Sequence, residues 1–359
     1  MKSVSMLGWI LGLAIVTGLF EDGGGPVLPA AEAAAKAGSE ERITRLQIFL
    51  GDANFGPGKI DGRWGEFTGL ALNRYLTAHG QAPVEAASMA PADFKVDTAS
   101  VNPIFTEYTV TEEDLAGLGA IPEEDYAAQA KLDSMPYQRL TELLGERFHC
   151  DEDFIQELNP GVKWDAAPAG TKVKVPNVAR PFYVKDVKSP AQVKKEAKAK
   201  KEAGDTTAAA KDSDTEAPKA DAPVADRTIL VDVNTKMLDV KEGDRLFASF
   251  PITPGSDATP APIGEWKTRG IAYMPDFRHD ESMLNTGVRS DVAYLIPPGP
   301  NNGVGVIWIA LSKDGIGIHG THDPDAIGRN ASHGCIRLAN WDIVELAKMV
   351  KPGMKVTIQ

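Results

Sequence analysis

Three of the chain's six histidines, His319, His322 and His333, fall close together beside Cys335, one of only two cysteines. They lie in the run Ile318-His-Gly-Thr-His-Asp-Pro-Asp-Ala-Ile-Gly-Arg-Asn-Ala-Ser-His-Gly-Cys-Ile-Arg-Leu338. A cysteine acts as a nucleophile when a base takes its proton and a positive or hydrogen-bonding setting holds the thiolate. Acyl transfer further needs donors for the oxyanion of a tetrahedral intermediate. The turn Ser332-His333-Gly334-Cys335 has the residues for this. Gly334 lets backbone approach a substrate, and the amides of Gly334 and Cys335 are candidate oxyanion donors. His319 can face Cys335 across the intervening loop, and Arg337 is near enough to hold a carboxylate or the loop backbone. His319, His322, Asp323, His333 and Cys335 are also acceptable zinc ligands. The His-x-x-x-His helical spacing of a metallopeptidase is absent, so neither metal nor cofactor is expected.

The elements that must position these residues read as mainly β from Arg227 onward. Ile229, Val231 and Val233 alternate with polar neighbours, as do Leu238 and Val240. Glu242-Gly-Asp244 is a turn before a strand over Leu246–Ile252. A turn-rich Pro260–Gly264 leads into a short strand over Trp266–Thr268. Val306–Ala310 and Gly317–His319 read as buried strands. Asp342–Val350 reads as a helix, with Ile343, Leu346, Ala347 and Val350 on one face.

His319-Gly-Thr321, Ile327-Gly328 and Ser332-His-Gly-Cys-Ile-Arg-Leu338, with Pro260-x-Pro-x-Gly264 and Pro298-Gly-Pro-Asn-Asn302 upstream, resemble the L,D-transpeptidase signature of YkuD-type catalytic domains across 227–359. The resemblance implies a mainly β domain with the cysteine in a groove. It implies attack by Cys335 on the stem-tetrapeptide carbonyl at the L-centre of diaminopimelate, release of D-Ala, and passage of the acyl group to an acceptor amine. His319 would be the base and later the acid, with the carbonyl of Gly320 as third member. Ser332, His333 and Arg337 would support the loop and substrate, while His322 gains no role beyond a groove contact.

Upstream, residues 40–80 read as two helices around the glycine-dense loop Asn54–Gly65. Leu46-Gln47, Phe55, Ile60-Asp61-Gly62, Gly65 and Thr68 resemble a small all-α peptidoglycan-binding domain. Residues 105–178 resemble an α+β LysM module: a strand at Tyr108–Val110, two helices, Asn159-Pro-Gly161, and a strand at Thr171–Val175, departing from it by an insertion over Thr111–Met135. Cys150 reads as a small buried residue. From Lys194 to Pro223 there is no Val, Ile, Leu, Met or aromatic residue. The span 186–226 is therefore expected to be a disordered linker, with a helix in its Ala/Lys/Glu part as the competing reading. Such a tether would let the catalytic groove sweep while the modules hold the wall.

Lys2 and an apolar run to Phe20 make residues 1–33 a signal peptide or N-terminal anchor. The chain has 359 residues and a net charge of −12, which opposes nucleic-acid binding. The expectation is a multidomain, exported peptidoglycan L,D-transpeptidase of the periplasm or bacterial cell envelope. Its partners would be stem peptides and glycan strands, with membrane contact only through an uncleaved anchor. An L,D-carboxypeptidase using the same acyl-enzyme and a non-catalytic wall-anchoring protein are the competing readings. The mechanism needs a free Cys335, so no Cys150–Cys335 disulfide is expected.

Overall fold

Apolar spacing of 3 and 4 along residues 43–50 forces a helix whose inner face needs a partner, and the next helix supplies it. In the computed structural model, which describes residues 30–84, 94–202, 226–255, 259–286, 288–329 and 334–359, the chain divides into units 1–38 and 39–359. The first unit enters the described residues where α1 (Ala30–Asp52) begins; residues 1–29, which hold the apolar run, lie outside them. Among the described residues no helix is long and apolar enough to cross a membrane.

In the second unit, Ile43, Leu46 and Leu50 of α1 pack on Ala71, Leu72 and Leu76 of α2 (Glu66–Ala78). The buried Gln47 ties the loop between them. Its Nε2 donates to Asp61 Oδ1 at 2.8 Å and to Thr68 Oγ1 at 3.2 Å, and its Oε1 accepts from Gly62 N at 3.0 Å. Gly62 has φ +68, the left-handed region that favours glycine.

Next come β1 (Phe105–Thr109), α3 (Glu112–Ala116), α4 (Tyr126–Gln129), α5 (Leu140–Arg147), α6 (Glu152–Leu158) and β2 (Lys172–Pro176). β1 and β2 pair antiparallel, with Glu107 opposite Lys174. Leu140, Leu143, Leu144 and Phe148 meet Phe154 and Ile155 in one core, which also encloses Cys150. Asn159 closes α6 onto β2: its Nδ2 donates to Ile155 O and Lys174 O, and its Oδ1 accepts from Lys174 N at 2.7 Å. The insertion after β1 carries α3 and α4.

α7 (Pro190–Glu202) occupies part of the expected linker, and 203–225 lie outside the described residues. Ala, Lys and Glu are strong helix formers even with nothing to bury, which favours the helical reading of this stretch.

The C-terminal domain comprises β3 (Arg227–Asp232), β4 (Met237–Glu242), β5 (Arg245–Pro251), β6 (Gly264–Tyr273), β7 (Phe277–His279), α8 (Glu281–Thr286), β8 (Tyr294–Ile296), β9 (Ile307–Leu311), β10 (Gly317–His319), β11 (Ile336–Arg337), α9 (Asn340–Met349) and β12 (Lys355–Ile358). Eight strands form one half-barrel sheet in the order β11-β10-β9-β6-β12-β3-β4-β5. Trp341, Ile343, Leu346 and Ala347 of α9 enter its core. β6 is longer than the short strand expected at Trp266–Thr268, because a register shift between Thr268 and Ile271 interrupts its alternation.

Within the second unit, the helical region 40–80 and the mixed region 105–178 are packed on this domain, contrary to the expectation of modules sweeping on a tether. The loop after α1 pairs with β5, where Gly56 N donates to Ser249 O at 2.8 Å and Ser249 N to Asn54 O at 2.9 Å. Arg74 on α2 pairs with Asp239 on β4 at 2.8 Å, and Arg180 pairs with Glu345 on α9 at 2.7 Å. Met135, at the end of the insertion, donates its N–H to Pro298 O at 2.9 Å. Backbone pairing and partly buried ion pairs of this kind fix relative position, which linker composition does not reveal.

At this junction Asp342 is buried, and its Oδ2 meets no hydrogen-bond donor. Burial, reinforced by Glu345 and opposed by Arg180, raises its pKa to about 8. The folded value lies above the unfolded one, so this contribution to stability is complete below the unfolded pKa of 3.8 and is lost as pH rises through about 8. Asp342→Asn removes the buried charge and is expected to stabilise the protein by about 2 kcal/mol at pH 9. It should change little at pH 4. Thermal melts at the two pH values check this; equal shifts at both would refute it.

Candidate active site

β10 and β11 run side by side and parallel, with Ile318 beside Ile336 and His319 beside Arg337. Ile318 and Ile336 are fully buried in the core. Alternate residues of a strand share a face, so Gly317, His319, Cys335 and Arg337 share the opposite one. Cys335, just before β11, therefore stands one diagonal step from His319.

His319 is held by a ring stack and a backbone carbonyl. Its ring stacks on Trp308 of β9, with centroids 5.2 Å apart and planes inclined by 18°. A Cβ at Gly317 would lie 2.5 Å from the Trp308 ring, so this glycine makes room for the indole. His319 Nδ1 lies 2.6 Å from Gly320 O. A carbonyl only accepts, so Nδ1 carries the proton and Nε2 is the basic nitrogen. Burial, helped by the Arg337 guanidinium, lowers the imidazole pKa to about 3, against the pull of the Gly320 and Val304 carbonyls. The ring is neutral at ordinary pH.

Burial likewise pushes the Cys335 thiol upward, while a backbone hydrogen bond from Gly317 and the charge of Arg337 oppose the rise. Cys335 Sγ lies 3.6 Å from Gly315 O. Both cysteines are free thiols, as the sequence predicts. Gly334 has φ +93, and the carbonyls of Pro260 and Thr259 lie 3.4 and 3.8 Å from where its Cβ would be. The proline-rich loop before β6 thus faces the turn that carries Cys335. Ser332 and His333 lie outside the described residues.

The backbone of Arg337 bonds Thr253 in both directions, at 3.0 and 2.9 Å. Its side chain and His322 line a groove of about 520 Å³. The insertion of the N-terminal unit supplies the groove's other wall through Glu123, Glu124 and Tyr126. Tyr126 stacks on His279 of β7, with centroids 3.5 Å apart. Among the described residues no three His, Cys, Asp or Glu side chains are grouped to hold a metal.

Sequence reasoning missed Trp308, Asn340 and the insertion wall. Trp308 could have been found from β-alternation, since it lies between Ile307 and Ile309, which face the core. The insertion was visible only as a departure from a compact module.

Residues 226–358 match the YkuD family, described as the L,D-transpeptidase catalytic domain. The Bacillus licheniformis protein named as an L,D-transpeptidase, YkuD, is 35% identical over 130 residues, covering 36% of this chain and 64% of the relative. The Escherichia coli K12 protein named as an L,D-transpeptidase, YbiS, is 39% identical over 120 residues, covering 32% of this chain and 38% of the relative. A solved L,D-transpeptidase from Mycobacterium smegmatis aligns with 38% of this chain and 59% of its own, at 19% identity and a TM-score of 0.31. The chain thus spans less than two thirds of the length of the Bacillus relative. The match over residues 226–358 gives this stretch the pattern of an L,D-transpeptidase catalytic domain, that of a cysteine-dependent enzyme family. No family match covers the N-terminal units.

Proposed function

We propose that this protein is an exported peptidoglycan L,D-transpeptidase with Cys335 as nucleophile and His319 as base. The observation that most supports the reading is the neutral imidazole fixed by Gly320 O beside the thiol strand. Sγ attacks the stem-tetrapeptide carbonyl at the L-centre, and its proton passes to His319 Nε2. The tetrahedral intermediate collapses, the C–N bond breaks, and His319 protonates the leaving amine of D-Ala. An acceptor amine then attacks the thioester, its proton returns through His319, and the thiol is restored. The amides of Gly334 and Cys335 would receive the oxyanion, with Ser332 and His333 shaping the loop.

The groove suits an acceptor that carries both an amine and a carboxylate. Glu123 and Glu124 line it together with Arg337 and His322, while Cys335 and His319 lie outside its lining. The helical unit 40–80 and the mixed unit 105–178 would hold peptidoglycan strands. The helix pair α5–α6 between the paired strands β1 and β2, beyond the inserted α3 and α4, and the knot around Gln47 support their likeness to wall-binding modules. Export is supported by the apolar run at residues 6–20 and by a catalytic domain whose family acts on the cell wall.

Incubation with purified disaccharide-tetrapeptide, read by mass spectrometry, tests this. Cross-linked dimer with free D-Ala is the expected result. Tripeptide alone would identify an L,D-carboxypeptidase. No product and no adduct with a reduced thiol would leave a non-catalytic wall-anchoring protein.

A further inference from the structure

The catalytic domain does not orient its histidine alone. Gly320 O receives the His319 Nδ1 proton, so whatever places the Gly320 carbonyl aims the imidazole. That carbonyl's segment lies directly against Asn340, the first residue of α9. A Cβ at Gly320 would stand 2.2 Å from Asn340 Oδ1, and one at Gly305 would stand 2.3 Å from the same atom. Two backbone segments therefore close on one amide group without intervening side chains. Asn340 is fully buried. Its Oδ1 accepts from Val306 N at 3.1 Å, and its Nδ2 donates to Pro300 O at 3.2 Å. Those two partners, a donor and an acceptor, fix which way the amide points.

The remaining Nδ2 proton goes to a residue of another domain. Glu146, on α5 of the mixed N-terminal unit, accepts it through Oε1 at 2.8 Å across 194 positions of sequence. Glu146 Oε2 accepts from the Tyr137 hydroxyl. Glu146 is itself buried, so its carboxyl group is committed to these two contacts. We infer that Glu146 is a positioning residue for His319, acting through Asn340 on the Gly305–Val306 and Gly320 backbone. The inference rests on the proposed role of His319 as base. It makes the N-terminal unit part of the catalytic apparatus in addition to any role at the wall. Burial raises the Glu146 pKa to about 8, so the group is a carboxyl whose Oε1 still accepts from Asn340; removing it would leave an Asn340 N–H unpaired inside the protein, and a buried unpaired donor turns toward whatever acceptor it can reach.

The full chain tests this by two independent readouts: steady-state turnover of disaccharide-tetrapeptide, and long-range ¹H–¹⁵N spectra of the His319 ring. Glu146→Ala is expected to lower kcat about 10- to 100-fold, the scale of a sub-ångström misplacement of a catalytic group, with KM nearly unchanged. The Nδ1–H resonance of His319 should shift or broaden. Glu146→Gln retains an acceptor for Asn340 and should recover near-normal kcat and spectrum. Glu146→Ala added to Asn340→Ala should cost little more than Asn340→Ala alone. Glu146→Met, similar in volume but without these acceptors, takes the place of Glu146→Ala if the latter does not fold. An unchanged His319 spectrum in Glu146→Ala or Glu146→Met, or losses that simply add, would overturn the inference. If the wild-type chain turns over nothing, the proposed function fails, and the spectra still report whether Glu146 fixes the ring.

Discussion

Cys335→Ala is expected to abolish D-Ala release and cross-link formation together, a loss of about 10⁵-fold or more, as when an enzyme loses its nucleophile. No second thiol can substitute. Cys150 is buried in the core of the mixed unit, and burial raises its pKa well above the ordinary thiol range. The variant should still fold normally. Cys335 is partly exposed, and the contact of Sγ with Gly315 O at 3.6 Å is a weak one. Activity loss with an unchanged melting temperature therefore separates a chemical role from a structural one. A thiol reagent applied to the folded wild-type chain should modify Cys335 and spare Cys150. Cross-linking by the alanine variant at even a hundredth of the wild-type rate would remove Cys335 from the mechanism.

The pairing of His319 with Cys335 proposed as the dyad was legible because these residue types are rare in this chain and sit near one another in sequence. β-Alternation located the strands at Ile229 and Ile307, and β10 ends at His319 as the pattern implies. The Gly320 carbonyl was named from family likeness, and it lies 2.6 Å from the ring. What escaped was long-range and polar. Arg74 meets Asp239, and Arg180 meets Glu345, each across 165 positions. A charged residue that will be paired at an interface looks in sequence like any solvated one. Glu146 gave even less warning, because it follows Leu143 and Leu144 on a helix whose apolar face was already accounted for. β12 was missed because four residues carry too little alternation to stand out after a helix. The docking of the N-terminal regions escaped for a related reason: composition reports that a segment has no core of its own, not whether the modules it joins are docked.

His319→Ala is the second large loss expected, about 10³-fold in kcat, within the usual range for a general base. Its pH signature is more diagnostic than its size. In many thiol enzymes the resting pair is an imidazolium beside a thiolate, which gives an acid limb where the thiolate takes up a proton and an alkaline limb where the imidazolium loses its own. Here burial acts on both partners toward neutrality: the imidazole falls to about 3 and the thiol rises from 9.0. At pH 7 the free enzyme therefore holds Cys335 chiefly as the thiol. Proton transfer from Sγ to Nε2 then belongs to the attack itself, when substrate has displaced water and the oxyanion donors are engaged. Two consequences follow. First, kcat/KM should show no acid limb near pH 6.5, because His319 does not protonate there. Second, alkylation of free Cys335 by iodoacetamide should rise tenfold per pH unit through pH 9, and His319→Ala should leave that profile nearly unchanged while losing turnover. A plateau in alkylation below pH 7 that disappears in His319→Ala would show a resting ion pair and exclude a neutral dyad. The distinction bears on what the N-terminal unit contributes. An ion pair would hold the ring by its own charge, whereas a neutral imidazole depends on Trp308, Gly320 O and the buried Asn340 behind it for its aim.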